Sequence, residues 1–190
     1  MITVDTTPDG NIISGYQVRL RPVAAGDLEM LRLWRNSDFV ASQMLSSDTI
    51  SKEQQQQWFG RIQSDNGQRH WVVEYQGEPI GATNVKAASG RVVQAETLEP
   101  GLYIGDARYQ GNILAFAPTL ALYDYCFEYL RTTGFEAVVK AQNVPALKYN
   151  QQLGYEVVAE HGLVELYLHK DNYQRQTKRL KQLFSRSRKS

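Results

Sequence analysis

Residues 143–155 read NVPALKYNQQLGY, and residues 105–115, upstream of them, read GDARYQGNILA. In the first stretch Asn143 suits a helix N-cap, Pro145 is tolerated in the first helical turn, and Gly154 can end the helix in the left-handed region. Ala146, Tyr149, Asn150 and Leu153 then fall at i, i+3, i+4 and i+7 and share one face. A tyrosine there is either a core residue with its hydroxyl at the rim or a phenol presented to a reacting group. The second stretch reads as a turn between a strand and a helix. Its two glycines let successive backbone N–H groups and a helix N-terminus face an anion, above all a pyrophosphate. Arg108 adds a guanidinium whose fork geometry matches phosphate oxygens.

Outward from these two segments, alternating apolar residues predict strands at 16–23, 70–75, 79–85, 91–96, 98–104, 135–142, 155–160 and 163–169. Gln76-Gly77-Glu78 reads as a short hairpin turn. Helical spacing predicts 28–36 behind Asp27 as N-cap, 52–64 behind a Ser51/Gln54 capping box, 119–131, 145–153, and a basic amphipathic helix over 173–187. Pro118 either stands in the first turn of the third of these helices or kinks it. Residues 37–50 read as a polar connection. Residues 1–15 lack periodicity and contain Pro8, Gly10 and Gly15, which predicts a flexible leader. The order of elements predicts a single α/β domain over 16–170, with a mixed, mostly antiparallel central sheet of six to seven strands flanked by helices, plus a basic C-terminal helix in 171–190.

Composition removes several function classes. Among 190 residues there is one cysteine, Cys126, which excludes an internal disulfide framework. With three scattered histidines it also argues against a zinc site, so no metal is expected. The longest apolar stretch, 113–123, is too short to span a bilayer, and the N-terminus has no secretory pattern, so a cytoplasmic location is expected. The net charge of +1 divides into −5 over residues 1–170 and +6 over residues 171–190. The tail could dock on its own acidic body, on a second subunit in a homodimer, or on anionic membrane or nucleic acid. The body has no nucleic-acid motif, and nucleic acid is not an expected partner.

Together the two segments resemble the GNAT superfamily of acyl-CoA-dependent N-acetyltransferases, over about residues 17–170. The loop pattern Gln/Arg-x-x-Gly-x-Gly/Ala is matched by Arg108 and Gly111, with the larger Ile113 in the last place. The pattern Asn-x-x-Ala…Tyr…Leu-Gly-Phe/Tyr is matched by Asn143, Ala146, Tyr149, Leu153, Gly154 and Tyr155. Trp34-Arg35-Asn36, Met44 and Ile50-Ser51…Trp58-Phe59 resemble members that acetylate amino groups on nucleotide-linked sugars, as in pseudaminic-acid and related surface-glycan pathways. They resemble ribosomal-protein N-terminal acetyltransferases less closely. Trp34 and Trp58 can equally be core anchors.

The resemblance implies acetyl-CoA as co-substrate and a small-molecule primary amine as acceptor. Freeing the lone pair of a lysine-like ammonium costs about 4–5 kcal/mol at pH 7, so a general base is useful. Glu99 holds the strand position where the family often has one, with Glu96 the other candidate. The backbone of Leu102, Tyr103 and Ile104 would pair with the pantetheine arm. Arg108, Asn143 and the amides of Gly111, Asn112 and Ile113 would hold the rest of the co-substrate, and Tyr149 would protonate the departing thiolate. Trp34, Arg35, Asn36 and Met44 would build the acceptor pocket, with Arg35 meeting phosphate or sugar hydroxyls unless it is locked in a buried ion pair. No convincing nucleophile stands ready for an acyl-enzyme, so attack would be direct. The reading from another class is a non-catalytic binding module that keeps the fold.

Overall fold

The structure, a computed structural model, describes residues 1–186. Nine strands form one sheet: β1 (Thr3–Thr7), β2 (Gly10–Gly15), β3 (Val18–Pro22), β4 (Gln68–Tyr75), β5 (Glu78–Lys86), β6 (Thr97–Ile104), β7 (Gly134–Lys140), β8 (Glu156–Glu160) and β9 (Leu163–His169). Their spatial order is β1-β2-β3-β4-β5-β6-β7-β9-β8. Among the described residues seven α-helices accompany them: α1 (Leu28–Asn36), α2 (Asp38–Gln43), α3 (Lys52–Ser64), α4 (Phe116–Tyr129), α5 (Val144–Leu153), α6 (Lys170–Gln176) and α7 (Lys178–Ser185). No helix among the described residues is long and apolar enough to cross a membrane.

Three expectations are corrected. The leader is a hairpin: β1 and β2 pair antiparallel from Thr3↔Ser14 to Thr7↔Gly10 and extend the sheet to nine strands instead of six to seven. Its signal is weak because β1 is a polar edge strand, and the β2–β3 turn uses Tyr16 and Gln17 at positive φ where glycine would have announced it. Residues 91–96 are not a strand; they hold a single 3-10 turn at Val92–Gln94, in which only Val92 is buried. The polar connection 37–50 contains α2, anchored by the fully buried Val40.

Other local rules act as the residues dictate. Ser51 accepts the Gln54 N–H while the Gln54 side chain takes the Ser51 N–H, which opens α3. Pro118 stands third in α4, where its missing N–H is one the helix leaves unpaired in any case. Every residue of α4 from Phe116 to Phe127 is buried, so this helix is the core of the domain and packs on β2 and β3. Facing it are Leu20, Trp71, Val73 and Val85 from one side of the sheet. Helices α1 and α3 cover the other side.

The C-terminal segment breaks at Thr177 into α6 and α7. Its described part docks on the domain's own body. Asp124 of α4, nearly buried, accepts from the Tyr16 hydroxyl, the Tyr173 hydroxyl (2.6 Å) and Lys181 Nζ (2.9 Å). Ser187, the last residue expected to be helical, lies outside the described ones.

One pairing sets up the site. Among the described residues, strands β6 and β7 are the only parallel neighbours, and they pair only at Thr97↔Gly134 and Leu98↔Phe135 before they separate. Strand β6 stays paired with β5 as far as Ile104. Gly105 N–H bonds Ile80 O on the β5 side, so by alternation Pro100, Leu102 and Ile104 direct their backbone groups away from β5, into the gap. Pro100 has no N–H to offer β7, which fits the point where the pairing stops.

Candidate active site

The loop after β6 closes on itself through side chains. Asp106 accepts the Arg108 N–H and Asn112 accepts the Leu114 N–H, each opening a short 3-10 turn. Gly111 between them has φ +68°, and a Cβ there would meet only open space. The requirement at Gly111 is therefore backbone conformation, not a close contact. The Asn112, Leu114 and Ala115 amides are all engaged within the loop. Among the described residues, the Gly111 and Ile113 amides have no intramolecular acceptor. Ile113 keeps its branched side chain about half exposed, outside the loop.

Arg108 is paired. Its guanidinium meets Asp106 at 2.7 Å and Glu78 at 2.8 Å, and this hydrogen bonding holds the Asp106 carboxyl below its usual range. Gln110 donates to the Ile104 carbonyl (3.0 Å) and fixes the exit from β6.

Helix α5 brings Tyr149 to the start of α4. The phenol donates to Ala115 O (2.9 Å), shares a 2.5 Å hydrogen bond with Thr119, and stacks on Phe116 at 4.4 Å. Burial pushes its hydroxyl well above the ordinary tyrosine range. Asn143 caps α5 through its side-chain oxygen, and Gly154 ends that helix at φ +105°.

Across the sheet, Glu99, Gly101 and Tyr103 point to the side of α1 and α3. Glu99 is exposed and stands opposite Lys86, while Glu96 precedes the strand and holds the Thr133 and Gly134 amides with its carbonyl. Gly105 has a second duty: a Cβ on it would overlap the Trp34 indole, which lies against the backbone here. Arg35 is half-buried, makes no ion pair among the described residues, and its charge partly offsets the upward pull of burial on the Tyr103 hydroxyl. Asn36 has another task than the substrate contact expected of it. Its side chain clasps Ile50 by both backbone groups, at 2.9 and 2.8 Å, and so ties down the loop that follows α2. Met44 ends α2 half-buried.

Two residues on this side carry no sequence motif, His70 and Asn84. They are cross-strand partners on β4 and β5, and with Leu31, Trp58 and Tyr103 they line a cavity of about 50 Å³. Trp58 meets the His70 ring edge-on at 5.1 Å, so it is a cavity wall more than a core anchor. Burial and then the Lys86 charge push the His70 imidazolium down to about 4, against a weaker opposite pull from Asp65.

A strand edge left open inside a sheet can pair with an extended, amide-bearing arm, and free loop amides beside it can hold a pyrophosphate. These are the needs of acyl-CoA-dependent transferases, and this fold belongs to that class. Residues 17–156 match the model of the acetyltransferase (GNAT) domain, and the chain belongs to that family. It is an N-acetyltransferase of GNAT type with acetyl-CoA as co-substrate. No curated protein matches it in sequence. Among solved structures it is similar to spermidine N-acetyltransferase from Vibrio cholerae in complex with CoA and spermine (TM-score 0.73, 20% identity, covering 83% of this chain and 98% of that one). It is similar as well to the aminoglycoside acetyltransferase AAC(6')-Ib in complex with coenzyme A (0.70, 19%, 83% and 98%). An uncharacterized protein from Bacillus halodurans shares the fold over more of the chain (0.77, 15%, 96% and 97%). At these identities the likeness is one of fold.

Proposed function

We propose that the protein transfers an acetyl group from acetyl-CoA to the primary amine of an amino sugar carried on a nucleotide, in the cytoplasm, by direct attack in a ternary complex. The observation that carries the acceptor class is Arg35, a half-buried cation on the acceptor side without a carboxylate partner. With Lys86 on the same side it favours an acceptor bearing phosphate over the polyamine and aminoglycosides bound by the structural neighbours. Trp34, lying on Gly105, would give the sugar or base an apolar wall next to Arg35.

Acetyl-CoA supplies the thioester acyl group. The open groups of Leu102 and the N–H of Ile104 would bind its arm, with Tyr103 between them turned to the acceptor. The Gly111 and Ile113 amides would take the pyrophosphate, with Arg108 and Asn112 holding the loop in shape. On the acceptor side Glu99 removes a proton from the ammonium, directly or through water. The nitrogen lone pair then forms the N–C bond as the C–S bond breaks, and the second proton released from nitrogen passes through solvent to the departing thiolate. Tyr149 turns its hydroxyl from Ala115 toward the departing sulfur. A phenol raised by burial does not hand its proton outright to a sulfur whose thiol has a pKa of about 8.5. Its contribution is a hydrogen bond that strengthens as charge develops.

Thermal unfolding with and without acetyl-CoA tests the first half. At a hundred times Kd the co-substrate adds about 2.7 kcal/mol, a rise of several degrees in Tm for a chain of this size. No rise at millimolar acetyl-CoA sinks the catalytic reading and leaves a binding module. A panel of amino-sugar nucleotides, N-terminal peptides and spermidine tests the second half. Turnover of the peptides alone would move the protein to the N-terminal acetyltransferase branch.

A further inference from the structure

His70 offers an acceptor without a protein partner in a cavity on the α1 and α3 side of the sheet. Its Nε2 lies 2.8 Å from Gln68 Oε1. An amide oxygen can only accept, so Nε2 carries the proton of the neutral ring and Nδ1 is left with a lone pair. Among the described residues Nδ1 has no hydrogen-bond partner, and it is not among the sealed polar atoms. The ring stays neutral at physiological pH despite Asp65, because burial and Lys86 both oppose its protonation. Neutrality also rules His70 out as the base, since a group protonated only near pH 4 cannot hold a proton taken from an alkylammonium.

The surroundings set the size and chemistry of what Nδ1 can take. The cavity of about 50 Å³ has room for a few waters, each of which needs about 10–15 Å³ on the same measure. It fits one substituent, not a sugar. Leu31, Val23, Ala82, Trp58 and Tyr103 make most of its wall apolar, so a polar group entering it has few partners besides His70 and Asn84. Its place relative to the reaction follows from register. His70 pairs with Asn84, and Asn84 with Gly101, whose missing side chain leaves room for the Asn84 amide. Two strand spacings, about 10 Å, therefore separate His70 from the open edge of β6 where the amine must meet the acyl carbon. An imidazole side chain and one sugar ring together bridge that distance.

We infer that His70 Nδ1 accepts a hydrogen bond from a hydroxyl on the same ring as the acceptor amine, and so selects a hydroxylated cyclic amine over a plain alkyl amine. The inference rests on the acetyl-transfer reading above and specifies its acceptor. A pocket that pairs an acceptor with a substrate hydroxyl disfavours the analogue lacking it, because that hydrogen bond is then lost from a mostly apolar cavity.

The test uses an amino-sugar nucleotide and a series of analogues each lacking one ring hydroxyl. In the unaltered protein one analogue should lose on the order of 10²-fold in kcat/KM. In His70→Phe that analogue and the parent should be used within about threefold of each other, whereas His70→Gln, which keeps an acceptor oxygen, should restore part of the preference. An unchanged Tm rise with acetyl-CoA shows that both variants fold and bind the co-substrate. Nitrogen NMR of the imidazole in the free protein should find the proton on Nε2. A loss that persists in His70→Phe, a series with no analogue down by more than threefold, or a proton on Nδ1 overturns the inference alone. No transfer to any sugar, with the acetyl-CoA shift intact, overturns the acceptor reading and this inference together.

Discussion

The two sides of β6 recognise by different means. Toward β7 the chain presents backbone: the open edge at Leu102 and Ile104 and the amides of Gly111 and Ile113, with its one guanidinium, Arg108, occupied by Asp106 and Glu78. Toward α1 and α3 it presents side chains: Trp34, Arg35, Trp58, His70, Asn84, Glu99 and Tyr103. Backbone groups are the same in every sequence, so a site made of them binds the part of the reaction that stays constant across a family. Side chains vary freely, so the opposite face can set the acceptor without disturbing the fork. The acidic body fits this division, because a pyrophosphate held by amides needs no positive field around it.

Acid separates the two sides most. The His70 pKa is about 6.5 unfolded and about 4 folded. A depressed histidine pKa means that the unfolded chain binds the extra proton first. The stabilisation from keeping His70 neutral is therefore full above pH 6.5 and is lost as pH falls from there toward 4. The loss from this group between pH 7 and pH 5 is about 2 kcal/mol. Asp106 in the loop after β6 has its carboxyl pKa lowered, so its contribution is lost only below the ordinary aspartate value of about 3.9. Urea unfolding at pH 7 and pH 5 should show His70→Gln losing about 2 kcal/mol less than the unaltered protein. Parallel losses would place His70 in water and remove the contrast.

Tyr149→Phe probes the point where the sides meet. The phenol is held by Ala115 and Thr119 and raised by burial, and the sulfur it would assist is a good leaving group. The variant should lose roughly 10- to 30-fold in kcat, below the usual 10²–10⁴ for a full general acid, with both KM values little changed. An unchanged kcat would make Tyr149 a packing residue only.

What could be read from the sequence follows the same division. The loop and α5 were legible because each backbone demand leaves a residue type behind: Gly111 at positive φ, Gly154 as C-cap, Asn143 as N-cap. The capping box of α3 was legible for the same reason, whereas α1 starts where expected although Asp27 caps none of its amides and instead holds Ala24 N–H and Arg21. The β1–β2 hairpin was not, since its edge strand β1 is polar and the next turn is made by Tyr16 and Gln17. On the acceptor side Asn36 sits in a suggestive Trp-Arg-Asn run yet holds Ile50, while His70 and Asn84 become neighbours only through the β4–β5 register. Nothing local marks a residue whose role comes from the strand beside it. Gly101 is the nearest to a signal, a strand glycine whose bare face accommodates Asn84.

Arg108 gives the smallest effect and the sharpest statement of the difference. Its motif position suggests a phosphate ligand, but in the structure two carboxylates already balance one guanidinium at an exposed site. To reach a phosphate it must leave them, exchanging one set of screened charge contacts for another. Arg108→Gln should therefore change the Kd for acetyl-CoA by less than about threefold at 0.15 M salt, measured by calorimetry. Replacing the carboxylates by Asp106→Asn with Glu78→Gln should tighten binding, since it frees the guanidinium and removes two like charges from the path of the phosphates. A tenfold loss in Arg108→Gln would show that the guanidinium does turn to the co-substrate, and that recognition on the cofactor side depends on a side chain after all.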